Sequence, residues 1–206
     1  MPRSDKQNIV KAILDRTPES LAGELSIDVV HNRPAPLFQW LIASLLFSAR
    51  ISADIAQRAA KALFAEGWRT PQKMAATNWK ERVTILNRSG YARYDESTSR
   101  YIGTSTQLLL DTYNGDLRRL RDAANRDPET ERQLIKQFKG IGDVGCDIFF
   151  REVQLVWDEL YPFADRKALD ATDKLGLGTD AGHVAGLVAR ADLPRLLTGL
   201  VRLRGE

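Results

Sequence analysis

The stretch "FKGIGDVGCDIFFREV" (138–153) sets two glycines around one apolar residue, Ile141, between two segments with helical spacing. Glycines at 140 and 142 let the backbone take positive φ and leave peptide N–H groups unobstructed at the start of the second helix. Such main-chain donors, carrying the partial positive charge of a helix N-terminus, suit a phosphate and would grip a sugar-phosphate strand whatever its base sequence. The residues that would make this contact are Lys139, Gly140, Ile141, Gly142 and Gly145. Ile135 and Phe138 before the turn, with Ile148 and Phe149 after it, would close the two helices on each other. A plain helix-turn-helix corner has the same pattern, and Gly-x-Gly by itself does not separate the two.

Other reactive side chains are sparse. Cys146 is the only cysteine, which excludes an internal disulfide and any zinc or iron–sulfur site built from several thiolates of this chain. It reads as a small packing residue. His31 and His183 have no partners at metal-ligand spacing. Asp165 follows the turn-forming Pro162 and opens a helix, as an ordinary N-cap does.

The elements that must position these residues are helical. "PLFQWLIASLLFSAR" is a long apolar segment, "SADIAQRAAKALFAEG" is amphipathic and stops at Gly67, and "TPQKMAATNWKERVTIL" reads as two short helices. Asn114-Gly115 closes the next helix, and Asp127-Pro128 suits the start of another. The second hairpin helix is expected over about 143–157, a further one over about 165–175 with a stop at Gly176, and two more over "TDAGHVAGLVARAD" and "LPRLLTGLVRLR". Segments with period-two alternation are few, so the class is all-α.

At 206 residues, 43% hydrophobic and 28% charged, the chain matches a folded enzyme or binding domain rather than a disordered one. The N-terminus carries charge throughout its first turns and does not read as a signal peptide, and no stretch is long and apolar enough to span a membrane. A cytoplasmic protein is expected. Net charge is +3 but uneven: Arg50 to Arg100 holds ten Lys/Arg against five Asp/Glu, and Asp127 to Leu160 holds four against eight. The imbalance permits a polyanionic partner without requiring one.

Taken together, "FKGIGDVGC", the interval of about twenty residues to "FADRKALDATDKLGL", and the earlier "LIASLLFSARIS" resemble the helix-hairpin-helix, Gly/Pro-rich-loop, aspartate superfamily of DNA glycosylases, which includes endonuclease III. The likeness runs from about Pro36 to Leu177. It implies a two-lobed fold: a central helical barrel over 27–156 carrying the hairpin (about 130–157), and a second lobe from 1–26 with 157–206 that carries Asp165 at the cleft between lobes. It implies that Asp165 is catalytic, since breaking an N-glycosidic bond builds positive charge on the sugar that a carboxylate stabilises. The N-cap role stands beside that one.

The resemblance also implies departures. Family members that cut the strand place a lysine where this chain has Val144, and valine cannot form a Schiff base. Lys167 is a remote substitute, with surface lysine as its other reading. Asp143 would suit the helix dipole but oppose a phosphate, and Asp170 replaces a basic residue frequent in the family. Tyr91 and Arg50 fall where relatives carry the wedge that fills the hole left by an extruded base, and a core or surface tyrosine is the alternative for Tyr91. Trp40 reads as core or, less readily, as part of a base pocket.

The expectation is therefore a monomeric, monofunctional DNA glycosylase of base excision repair. Its partner would be duplex DNA with a damaged base or abasic site, and it would use no iron–sulfur cluster, with a monovalent cation at the hairpin carbonyls left open. The alternatives are a catalytically silent protein that recognises distorted or abasic DNA, and a helical interaction module.

Overall fold

The computed structural model describes residues 3–203, all-helical with no strand among them. In chain order the helices are α1 (Arg3–Arg16), α2 (Leu21–Glu24), α3 (Pro34–Phe47), α4 (Ala53–Ala65), α5 (Pro71–Ala75) and α6 (Trp79–Arg88). Then come α7 (Asp95–Tyr113), α8 (Leu117–Ala123), α9 (Pro128–Ile135), α10 (Asp143–Val153), α11 (Arg166–Lys174), α12 (Ala181–Ala185) and α13 (Leu193–Leu203). No described helix is long and apolar enough to cross a membrane.

Local chemistry sets most of the boundaries. Ser52, Thr70, Asp127 and Asp180 each accept a hydrogen bond from a backbone N–H in the first turn of the helix that follows, and Asn78 with Glu81 forms a capping box at α6. Asn114, in the left-handed region at φ 53°, ends α7. Two expectations needed correction. Residues 179–192 are not one helix: α12 stops at Gly186, and Gly182 and Gly186 weaken the helix between them. The second hairpin helix ends at Val153 rather than near Trp157, because i→i−3 bonds from Leu155 N to Glu152 O and from Val156 N to Val153 O tighten its last turns.

The chain separates into two compact units, Ile27–Phe149, and Met1–Ser26 with Phe150–Glu206. The second boundary falls within α10, earlier than the one expected at residue 156. In the first unit α3 is buried around nearly its whole circumference, which makes it the central helix. Its Trp40 is fully buried and donates from Nε1 to the Phe149 carbonyl at 3.1 Å. Buried Arg82 ties α6 to α7, donating from Nε to Ser99 O at 3.2 Å and from Nη1 to Thr77 O at 2.7 Å.

The other unit is organised by α13, whose Leu193, Leu196, Leu197 and Leu200 pack against α1 and α11. A Cβ on Gly199 would lie 2.5 Å from Ile13 Cγ2, so α1 and α13 approach at that glycine. Arg195 closes the end of α1 by donating to Thr17 O at 2.6 Å and Leu14 O at 2.9 Å. Glu152, buried, holds α2: Ser20 Oγ donates to Oε2 at 2.8 Å and Ala22 N to Oε1 at 3.3 Å.

Burial, only partly offset by the Ser20 and Ala22 hydrogen bonds, pushes the Glu152 carboxyl from 4.5 up to about 7. Below about pH 4.5 this group is protonated folded and unfolded alike. As pH rises towards 7 the unfolded chain releases the proton first, so stability falls by about 3 kcal/mol across that window and then levels off. Urea melts between pH 4.5 and 8 check this, and Glu152→Gln should flatten the dependence.

Candidate nucleic-acid interface

The hairpin is built as a tight corner. Asp127 caps α9 through Thr130 N, with Pro128 in its first turn, and after Phe138 the chain reverses with Ile141 N donating to Phe138 O at 3.0 Å. Gly140 sits at φ +90°, and a Cβ there would lie 2.8 Å from the Tyr101 ring, so both backbone and neighbour require glycine. Gly142 faces open space: a Cβ would meet nothing within 4 Å. The first bond of α10 runs from Cys146 N to Gly142 O at 3.0 Å, so the amides before it need partners from outside the helix.

Ile135, Phe138, Ile148 and Phe149 are all buried, as their spacing predicted. Ile141 is 4% exposed and its side chain belongs to the core, so it can offer a ligand only main chain. Gly145 is buried too. A Cβ on it would lie 3.1 Å from Ile141 Cγ2 and 3.4 Å from Ser48 Cβ, so it serves close packing. Lys139 is exposed with its ammonium 5.9 Å from the centre of the Tyr101 ring. Asp143 does not stand as a bare charge against a phosphate. Lys136 Nζ lies 2.6 Å and Arg132 Nη1 3.8 Å from its carboxylate, and Arg132 also pairs with Asp147 at 2.6 Å. The Lys136 hydrogen bond holds the Asp143 carboxyl below its ordinary range.

At the turn, Ser105 Oγ donates to Lys139 O at 3.0 Å and Ile141 N to Phe138 O at 3.0 Å, while Gly140 O lies 3.4 Å from Ser48 Oγ, whose proton goes to Leu45 O at 2.8 Å.

Three residues singled out separately in the sequence come together. Arg50, Tyr91 and Gly140 line one cavity of about 310 Å3. Tyr94, Ser97, Thr98 and Tyr101, at i, i+3, i+4 and i+7 along one face of α7, form another wall, and Ser48 lies beside Gly140. Arg50 is exposed. Tyr91, read from the sequence as a wedge or a core tyrosine, is 1% exposed; its hydroxyl donates to Leu46 O at 3.3 Å, and burial pushes its phenol up to about 12. Without DNA its ring forms part of the cavity floor.

Asp165 is 4% exposed and caps α11, accepting from Lys167 N at 3.0 Å. Its other oxygen takes a hydrogen bond from Arg151 Nε at 2.5 Å, an ion pair whose side chains are 6% and 2% exposed. Nothing in the one-dimensional pattern singled out Arg151, which reaches Asp165 only through the turn between α10 and α11. That turn is held by Gln154, which donates to Phe163 O at 3.1 Å and accepts from Phe163 N at 2.9 Å, with a cis Tyr161-Pro162 bond between them. Val144 is 45% exposed, Lys167 is exposed, and Cys146 is buried with its thiol pushed up to about 12 by burial.

No protein-family model matches the chain, and no curated protein does. Among solved structures it is similar to a trapped endonuclease III–DNA covalent intermediate in an estranged-adenine complex, and to a non-covalent endonuclease III–DNA complex. In each case the TM-score is 0.56 and the identity 18%, over 98% of this chain and 85% of the other. At that identity the likeness establishes the fold: this is an all-α chain of the endonuclease III fold.

The two glycines should differ on substitution. Gly140→Ala should destabilise the protein by about 1–3 kcal/mol, from left-handed strain together with the Tyr101 clash. Gly142→Ala should cost less than about 1 kcal/mol, as an N-cap change in open space. Denaturant melts of the two variants make the comparison.

Proposed function

We propose that the protein is a monofunctional DNA glycosylase that holds duplex DNA by the hairpin and releases a damaged or mispaired base. The observation that carries the reading is the exposed Gly142 corner, whose amides point to no partner of their own helix and whose neighbouring acid is neutralised by Lys136 and Arg132. A backbone phosphate suits such a corner. Both similar structures are endonuclease III with DNA, which fits this partner.

In the reaction, water adds to the sugar C1′ as the N-glycosidic bond breaks, and the base departs with a proton. Asp165 is the carboxylate assigned to stabilise the developing cation and accept the proton of the attacking water. To act so, its Oδ2 must part from Arg151 while Oδ1 keeps the α11 cap. Val144 offers no amine, so the strand is left uncut.

The ion pair favours a second reading. With both oxygens engaged and its charge cancelled by Arg151, Asp165 is also what a structural carboxylate looks like, and the protein would then bind distorted or abasic DNA without chemistry.

A panel of duplexes with oxidised, alkylated, deaminated and mispaired bases, assayed for abasic-site formation, separates the two. Under the first reading one lesion is processed, and Asp165→Asn, verified as folded by circular dichroism, lowers the rate by at least about 100-fold. Lesion-preferring binding with no base release supports the second reading, and no binding to any duplex rejects both. Borohydride should trap no covalent complex on an abasic duplex; trapping would restore a lyase amine such as Lys167. Gly142→Ala should weaken duplex binding several-fold while leaving stability near wild type, because the added methyl group would occupy open space at the corner that a backbone phosphate would enter.

A further inference from the structure

Resting on the reading of Asp165 as the carboxylate that faces the sugar, we infer that Arg151 is a phosphate ligand, which exchanges Asp165 for a phosphate beside the extruded nucleotide. Arg151 uses one of its five side-chain N–H groups within the protein: Nε donates to Asp165 Oδ2 at 2.5 Å. No described residue accepts from its Nη1 or Nη2. Neither nitrogen is among the buried polar atoms left without a partner, so both keep contact with solvent. The rest of the side chain is packed away, at 6% exposure overall. A guanidinium held from behind with its outer fork open suits bidentate capture of a phosphate.

The exchange answers a physical need. Asp165 can turn Oδ2 to a developing cation only by leaving Arg151, and a guanidinium this nearly buried requires another anion in its place. The neighbouring carboxylate, Glu152, is committed to Ser20 Oγ and Ala22 N at the start of α2. The strand supplies the replacement, since every extruded nucleotide brings phosphates of the sign that Asp165 withdraws. Oδ1 stays on Lys167 N at 3.0 Å, so α11 keeps its cap throughout. Gln154 holds the surrounding backbone, bonded to Arg151 O at 2.9 Å, Phe163 O at 3.1 Å and Phe163 N at 2.9 Å, so only side chains need move. The pair thus keeps the carboxylate neutralised until a strand is present.

The test is duplex binding by fluorescence anisotropy from about 50 to about 200 mM salt. One duplex carries a tetrahydrofuran abasic-site analogue, which has the phosphates of an extruded nucleotide and no base to release; the other is intact. Asp165→Asn leaves the guanidinium without an ion pair to exchange, so it should bind the abasic-analogue duplex several-fold tighter than wild type with the same salt slope. Arg151→Gln in that background should lose the gain. Its slope of log K against log salt should fall by about 0.9, one phosphate's share, on the abasic-analogue duplex alone. Arg151→Lys in the same background keeps the charge and should keep the slope. The double variants remove or preserve charge without stranding a buried carboxylate, and circular dichroism verifies their folding. An unchanged slope with Gln, an equal fall with Lys, or an equal fall on the intact duplex overturns the inference. The lesion panel decides base release independently of these slopes, so the glycosylase reading then still stands or falls by its own assay. Failure to bind any duplex removes both.

Discussion

At Gly140 the backbone turns through φ +90° with the Tyr101 ring 2.8 Å from the place where any Cβ would sit. That single close approach presses the corner onto α7. Ser105 Oγ then fastens the Lys139 carbonyl, so the turn is held by a ring and a hydroxyl of the same helix, α7. The open start of α10 and the tyrosine-walled cavity share this edge for one reason: α7 supports the turn with the same face that lines the cavity. Moving either element would cost the other its shape.

Two acidic side chains at the hairpin are paired within it, Asp143 with Lys136 and Arg132, and Asp147 with Arg132. An anion at the start of α10 would meet main-chain dipoles beside these pairs.

The Arg151–Asp165 pair follows different physics. Two charges this deeply buried give back much of their Coulomb attraction as lost hydration, so the pair adds little net stability, although removing one partner would cost about 3–5 kcal/mol. What it provides is a carboxylate of fixed orientation, with one oxygen on the α11 cap and the other on a guanidinium. Gln154, bonded to both the N–H and the carbonyl of Phe163, fixes the turn that brings the two residues together. The same segment supplies Glu152 to the start of α2, so three successive polar functions of this stretch are spent on holding the chain's turns.

The all-helical class, most helix limits and the hairpin were legible in the sequence because they depend on local chemistry. Caps at Ser52, Thr70, Asn78, Asp127 and Asp165 act within a few residues of their own helices, and the glycine corner acts through its own φ. The sequence did not single out Tyr94, Ser97, Thr98 and Tyr101, because their common lining of one cavity depends on which loops lie opposite. Tertiary structure alone decided that Tyr91 is a buried floor and that Arg50 stands beside Gly140. It also decided that Asp165 is paired with Arg151. Burial and ion pairing are relations between residues far apart along the chain or separated by a turn, and no local pattern carries the distances that determine them.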